Sequence, residues 1–348
     1  MENISLNVAL LRRKVPNLTS AAKSVGLRPA TVSNLCTGKI PVGRSEVRTI
    51  VALASLADCS LDELIIRGGK VEMIETGIKT LDVFAPLTKG GTVGLVARPG
   101  MGQLVIIAEV FYRLRKDGYK TMMLKPEGEH PEVDDLKEQF DVMDTDIEKV
   151  YEQIKANEQA KGIVFAADRS EVVNGEIFAL QERLQKEGIT SVTTFLLDLS
   201  GDSMDEELPY GPLETLWQFD IDLAARHMYP AVTPVSSTST LLEDVYIDQT
   251  HFTVQQRARK LLRRYRELRS FVNVKGEASI PDSERQTYVR GERLEAYLTQ
   301  PFFVAEEFTK QKGEFVHLKD ALSDIQKIVD GATDTVKKDE LHFIGKIQ

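Results

Sequence analysis

The sequence predicts a multidomain chain, with a small all-α head in front of an α/β core built on a mostly parallel sheet. Three observations predict it. The first 66 residues carry helix-like apolar spacing with no strand-like alternation. From residue 75 onward, apolar runs of strand length alternate with helical patterns, as βαβ units do. Charge divides the same way: residues 1–70 hold ten Lys/Arg against five Asp/Glu, whereas the whole chain has a net charge of -9. A basic head on an acidic body suits a head that meets a polyanion.

Composition excludes several classes. The chain has 348 residues, 42% hydrophobic and 28% charged, as globular domains do. It contains no apolar run long enough to span a bilayer, so no membrane role is expected. Arg12, Arg13 and Lys14 follow the first apolar stretch, the reverse of a signal peptide. Two cysteines, Cys36 and Cys59, argue against a disulfide framework or a zinc site. Together these features predict a cytoplasmic protein with no structural metal.

Ile4 to Val15 reads as a short amphipathic helix, with Leu6, Val8, Leu10 and Leu11 apolar. Asn17–Leu18–Thr19 caps a second helix, Ser20 to Val25, which Gly26 stops. Arg28 or Pro29 opens a third, through Val32 and Leu35 to Gly38. Glu46 to Ala57 forms a fourth, and Ser60–Leu61–Asp62–Glu63–Leu64 a fifth with a capping-type start.

The spacing Ala22, Gly26, Val32, Leu35 meets the needs of a helix-turn-helix: a small residue at the crossing, a turn residue that tolerates positive φ, and two apolar residues inside the second helix. The stretch Leu18 to Leu64 resembles the phage-repressor/Cro-like helix-turn-helix family. That resemblance implies that the second helix enters the major groove of double-stranded DNA. Its base-reading candidates are Arg28, Ala30, Ser33, Asn34 and Thr37. Arg suits guanine, Asn suits adenine, and Ala or Thr methyls suit thymine. Thr19, Lys39 and Arg44 are candidates for phosphate contacts. The head spans 1–66, and Arg67–Gly68–Gly69–Lys70 reads as a C-cap and hinge within a linker, 67–74.

In the body, Thr92–Ala97 runs into a glycine turn and Gln103–Arg115 is helical. Strand-like runs recur at Thr121–Leu124, Gly162–Ala166 and Ser191–Asp198, with a helical pattern over Glu171–Glu187. Glu75–Thr76–Gly77–Ile78–Lys79–Thr80–Leu81–Asp82, Tyr229–Pro230–Ala231–Val232–Thr233–Pro234 and Gln300–Pro301–Phe302–Phe303–Val304–Ala305–Glu306–Glu307–Phe308–Thr309 resemble the catalytic beta subunit of rotary ATP synthases. The resemblance runs from about residue 75 to the end. It implies a P-loop, RecA-like α/β domain over 75–245 and a helical C-terminal domain over 246–348.

The departures from that family bear on function. A working phosphate loop reads G-x-x-x-x-G-K-[ST], with Lys on the β/γ-phosphates and the hydroxyl on Mg²⁺. Here the stretch is Arg98–Pro99–Gly100–Met101–Gly102–Gln103–Leu104. The turn glycines persist, so amides at a helix start can cradle an anion, but the lysine is Gln103 and the hydroxyl is Leu104. Glu129 aligns with the family's catalytic glutamate only across a one-residue gap and without the neighbouring arginines. Asp198 stands where the Mg²⁺-linked aspartate would. Glu129 and Asp198 therefore read as remnants, and hydrolysis is expected to be absent or very slow. Tyr229, Phe302 and Phe308 match the family's adenine-contacting aromatics, so ATP, ADP or another nucleotide is the expected ligand, with the case for Mg²⁺ weakened by Leu104.

One more stretch is strongly charged: Arg257, Arg259, Lys260, Arg263, Arg264, Arg266 and Arg269 lie on a helix whose apolar face is Val254, Ala258, Leu261, Tyr265 and Leu268. A solvated or subunit-facing surface is favoured there over a second DNA contact. The sequence thus reads as a DNA-binding transcriptional regulator whose degenerate ATP synthase beta-like domain senses a nucleotide and assembles the chain into a homo-oligomer, a dimer or a ring. The alternatives are an ATP-dependent enzyme acting on DNA and a protein that engages ATP synthase-like subunits.

Overall fold

The computed structural model describes residues 3–347 apart from 16–17, 37–39, 41, 69–71, 206–209, 211–212 and 243–247. The chain divides into two compact units, Met1–Glu72 and Met73–Gln348.

In the first unit the elements are β1 (Asn3–Leu6), α1 (Val8–Lys14), α2 (Leu18–Ala21), α3 (Pro29–Cys36), α4 (Val47–Leu56), α5 (Leu61–Leu64) and β2 (Ile65–Gly68). A 3-10 turn, Ala22–Val25, continues α2. The unit is not all-α: β1 pairs antiparallel with β2, from Asn3 opposite Gly68 to Leu6 opposite Ile65. The expected single helix from Ile4 to Val15 is therefore a strand followed by a helix. Ile4 and Leu6 alternate with polar neighbours at period two, and the break falls at Asn7, whose side chain accepts from Leu10 N and caps α1. Asn7 also donates from its backbone to Leu64 O at 2.8 Å and from Nδ2 to Glu63 O at 3.1 Å. Arg67 and Gly68, read as hinge, belong to β2. Gly69 and Lys70 lie outside the described residues.

Leu11, Ala22, Val32, Leu35, Leu53 and Leu64 form the core of this unit. Gly26 sits at φ +75°, where a residue with a side chain would be strained. Ser60 and Glu63 exchange hydrogen bonds as a capping box at the start of α5.

The second unit continues with β3 (Met73–Ile74), α6 (Lys79–Phe84), β4 (Leu87–Thr88), β5 (Thr92–Val96), α7 (Gln103–Lys116), β6 (Lys120–Leu124), α8 (Pro131–Asp134), β7 (Val142–Asp144), α9 (Ile147–Ala156) and β8 (Ile163–Asp168). There follow α10 (Ser170–Val173), α11 (Glu176–Lys186), β9 (Val192–Leu197), β10 (Thr215–Gln218), α12 (Ile221–Ala225), β11 (Thr238–Ser239), α13 (Gln249–Lys275), α14 (Asp282–Tyr297), α15 (Glu306–Thr309) and α16 (Leu318–Asp330). The helical pattern read over Glu171–Glu187 is two helices, because Gly175 turns the chain at φ +87°.

Seven strands form one sheet in the order β11-β10-β5-β9-β8-β6-β7, parallel throughout except for β11 against β10. Its central strands are apolar on both faces because helices cover both. Phe195 and Leu197 of β9 pack in one cluster with Ile107, Val110 and Phe111 of α7. Leu196, one residue between them, packs in the opposite cluster with Tyr151 of α9 and Leu180 of α11. The sheet is an α/β core with its parallel strand ends on one edge, and α13, α14 and α16 form a helical region around Leu262, Leu294, Ile325 and Ile328.

Two of the three motifs that carry the family resemblance meet each other. Asp82 accepts from Thr76 N, Thr76 Oγ1 and Gly77 N at 2.7–2.9 Å, pinning the turn before α6. Gln300 Oε1 accepts from Lys79 N, while Nε2 donates to Gly77 O and Glu314 O. Lys79 is fully buried, lies over the Tyr297 ring and donates to the carbonyls of Tyr297, Ile344 and Gly345. Burial pushes its ammonium down to about 7, while three carbonyl acceptors favour the charged form. The first motif is the socket of the last.

Candidate functional site

In a parallel sheet, ligands bind outside the C-terminal strand edge. There β5 runs through Ala97 into the glycine turn and then into α7. Gly100 and Gly102 have φ +82° and +90°, the left-handed values that let the chain double back and leave amides at the start of a fourteen-residue helix. Arg98 and Gly100 are exposed, Met101 is buried in the core and Leu104 packs partly against it. Tyr229 closes one side: a Cβ on Gly102 would lie 3.4 Å from its ring. Phe302 is buried in the same apolar cluster, against which Tyr229 packs. Phe308 is 89% exposed on α15, so its ring faces solvent. The structure thus brings Tyr229 to the glycine turn and leaves Phe308 uncovered.

At the two positions that depart from the phosphate-loop pattern, both side chains are held by the fold. Gln103 is 4% exposed and donates from Nε2 to the backbone carbonyl of Asp198 at 2.7 Å. Its Oε1 is buried with no partner. Leu104 adds apolar contact where an Mg²⁺-holding hydroxyl would stand.

Asp198, at the end of β9, has a carboxylate occupied by its own loop. Oδ1 accepts from Ser200 N, Ser200 Oγ and Gly201 N, and Oδ2 from Ser203 N, at 2.5–3.1 Å. Burial opposes ionisation, yet the bonds from Ser200, Ser203 and Gly201 hold the carboxyl below its ordinary value. That loop also props the glycine turn, since a Cβ on Gly201 would lie 2.6 Å from Pro99. A capping role explains Asp198 without a metal. Glu129 is exposed in the loop after β6.

Sequence reading missed the pair that anchors α7. Glu109 and Arg113 of α7, both buried, bond at 2.6 Å. Glu109 also accepts from Phe303 N and Val304 N, and Arg113 donates to Gly77 O and Glu314 O. The signal was present as an acid and a base four residues apart on a helix otherwise apolar on that face.

The basic stretch of α13 is largely engaged within the chain. Arg257 pairs with Asp330, Arg264 with Glu284 and Glu267, Arg266 with Asp220, and Arg269 with Asp222. Arg259 donates to the carbonyls of Pro234, Phe84 and Ser237. The pairings of Arg266 and Arg269 join the helical region to the corner between β10 and α12.

In the first unit, α3 buries Val32 and Leu35 and exposes Ala30 and Ser33, with Arg28 exposed just before it and Asn34 half-buried. Arg44 is exposed at the end of a separate 3-10 turn, Val42–Arg44. Thr19 lies on α2, and Thr37 and Lys39 lie outside the described residues.

The sheet, its glycine turn and the helices behind it form an α/β body followed by a helical region. Residues 242–341 match the C-terminal domain of V and A type ATP synthase. Among solved structures, the fold is similar to that of the ATP synthase subunit NeqB from Nanoarcheaum equitans, at 15% identity and a TM-score of 0.60, covering 76% of this chain and 80% of that one. Among the described residues, no helix is long and apolar enough to cross a membrane.

Proposed function

We propose that this chain is a DNA-binding transcriptional regulator, with a helix-turn-helix head over residues 1–66 and a nucleotide-sensing ATP synthase-like body that does not hydrolyse its ligand. The observation that carries the DNA reading is α3. It turns Val32 and Leu35 inward behind the left-handed Gly26 and leaves Ala30 and Ser33 outward, with Arg28 exposed just before it, the division a groove-reading helix needs. Arg28→Ala should weaken binding to the cognate duplex by about 1–3 kcal/mol and relax the sequence preference there. Equal affinities of the two proteins across a salt series would remove that assignment.

The nucleotide reading is supported by the amides at the start of α7 and by Tyr229 beside Gly102. Burial of Gln103 and the engagement of the Asp198 carboxylate by its own loop argue against phosphoryl transfer, which needs positioned positive charge and metal. The body is also the proposed means of assembly. A single small head makes few phosphate contacts, and joining two on one body makes the second contact intramolecular.

A second reading draws on the likeness to V and A type ATP synthase domains: the body engages ATP synthase-type subunits. Retention of such subunits by the full chain, with no retention of DNA, would favour it.

A further inference from the structure

We propose that the free edge of β7 is a docking site for an extended, basic segment of a partner protein, which adds a strand to the seven-stranded sheet. β7 ends the strand order, and among the described residues only β6 pairs with it. Asp144 O accepts from Lys125 N. Alternate residues of a parallel strand bond to one neighbour, so Met143, between Val142 and Asp144, turns its N–H and C=O away from β6. An edge that leaves such groups unpaired is a template for another strand.

The edge is also open. A slot of about 750 Å³ lies beside it, lined by Phe140, Val142, Met143 and Asp144 and, from α9, by Glu148 and Glu152. Val142 and Met143 are only half-buried there. The two walls differ in chemistry. Val142 packs towards the cluster that α9 covers, and Glu148 and Glu152 border the slot on that side. Met143 packs with Phe140 in the cluster on the opposite face of the sheet.

Charge selects the occupant. Residues 131–153, which surround the slot, hold nine Asp/Glu against two Lys, a net of −7 in a chain of net charge -9. Lys149 on Asp144 and Arg183 on Glu148 answer only part of it. A rim of that sign repels a second copy of the same edge and attracts Lys and Arg. The slot therefore suits a strand that alternates, with basic residues towards the α9 wall and apolar residues over Met143 and Phe140. Backbone pairing supplies affinity in such an arrangement, and the alternation supplies specificity.

The test uses the full chain and a labelled peptide of about eight residues that alternates Lys and Val, read by fluorescence anisotropy and by amide hydrogen exchange. The peptide should bind and slow exchange at residues 142–144. A peptide with the same Lys and Val in two blocks should bind about tenfold more weakly. Glu152→Lys, at an exposed position, should weaken the alternating peptide about fivefold and leave unfolding unchanged. Equal binding of the two peptides, binding without slower exchange at 142–144, or an unchanged affinity in Glu152→Lys would overturn the proposal. So would no binding at all, which leaves the acidic rim as protection of the edge against pairing. Exchange at 142–144 that slows with rising protein concentration alone would replace the basic partner by a second copy of the chain, and overturn it likewise.

Discussion

The side chain of Gln103 hydrogen-bonds the backbone of Asp198 at 2.7 Å, so the two positions that would hold phosphate and metal in a working P-loop hold each other instead. The arrangement ties the start of α7 to the end of β9, next to β5 in the sheet.

Asp198 should therefore matter for stability in the absence of any ligand. Asp198→Ala removes four hydrogen bonds to a carboxylate, and a cost of about 2–3 kcal/mol is expected in denaturant unfolding. Conversely, Gln103→Lys with Leu104→Thr should not create an ATPase, because Asp198 stays committed to its loop. Unchanged unfolding of the first variant, or turnover of about one per second in the second, would contradict this role.

Gln255 is fully buried on α13 with neither amide atom partnered. An unsatisfied buried amide costs about 1–3 kcal/mol. Gln255→Met, similar in volume and apolar, should raise Tm by a few degrees. A lower Tm would mean that the amide has a partner, such as an internal water.

The corner between β10 and α12 should make the protein acid-sensitive. Bonds from Arg269, then from Arg226, hold the Asp222 carboxyl down at about 2, against about 3.9 in an unfolded chain. A depressed carboxyl contributes stability that is complete above the unfolded value and lost as pH falls towards 2. Wild type should lose stability between about pH 4 and pH 2 more steeply than Asp222→Asn. Parallel curves would show that the pairing contributes nothing.

Much of this fold was legible in the sequence because it is local. The glycine turn into α7, the apolar runs of β6, β8 and β9, and the inward residues of α3 each follow from neighbours a few positions apart. What escaped depends on distant partners. β1 finds β2 some sixty residues later, so Ile4 and Leu6 read as part of a helix. Asp198 read as the remnant of a catalytic site because nothing in the sequence says that Ser200, Gly201 and Ser203 fold back on it. Lys79, Asp82 and Gln300 were visible as motif residues, but only their contacts reveal that the motifs brace one another.

The proposed DNA-binding function is tested most directly by incubating the full chain with a pool of random-sequence duplexes and sequencing what it retains. The account expects one motif to be enriched, as repeated or palindromic half-sites about one helical turn apart or a multiple of it, with the enrichment lost in Arg28→Ala. A retained pool indistinguishable from the input, or one unaltered by Arg28→Ala, would contradict it.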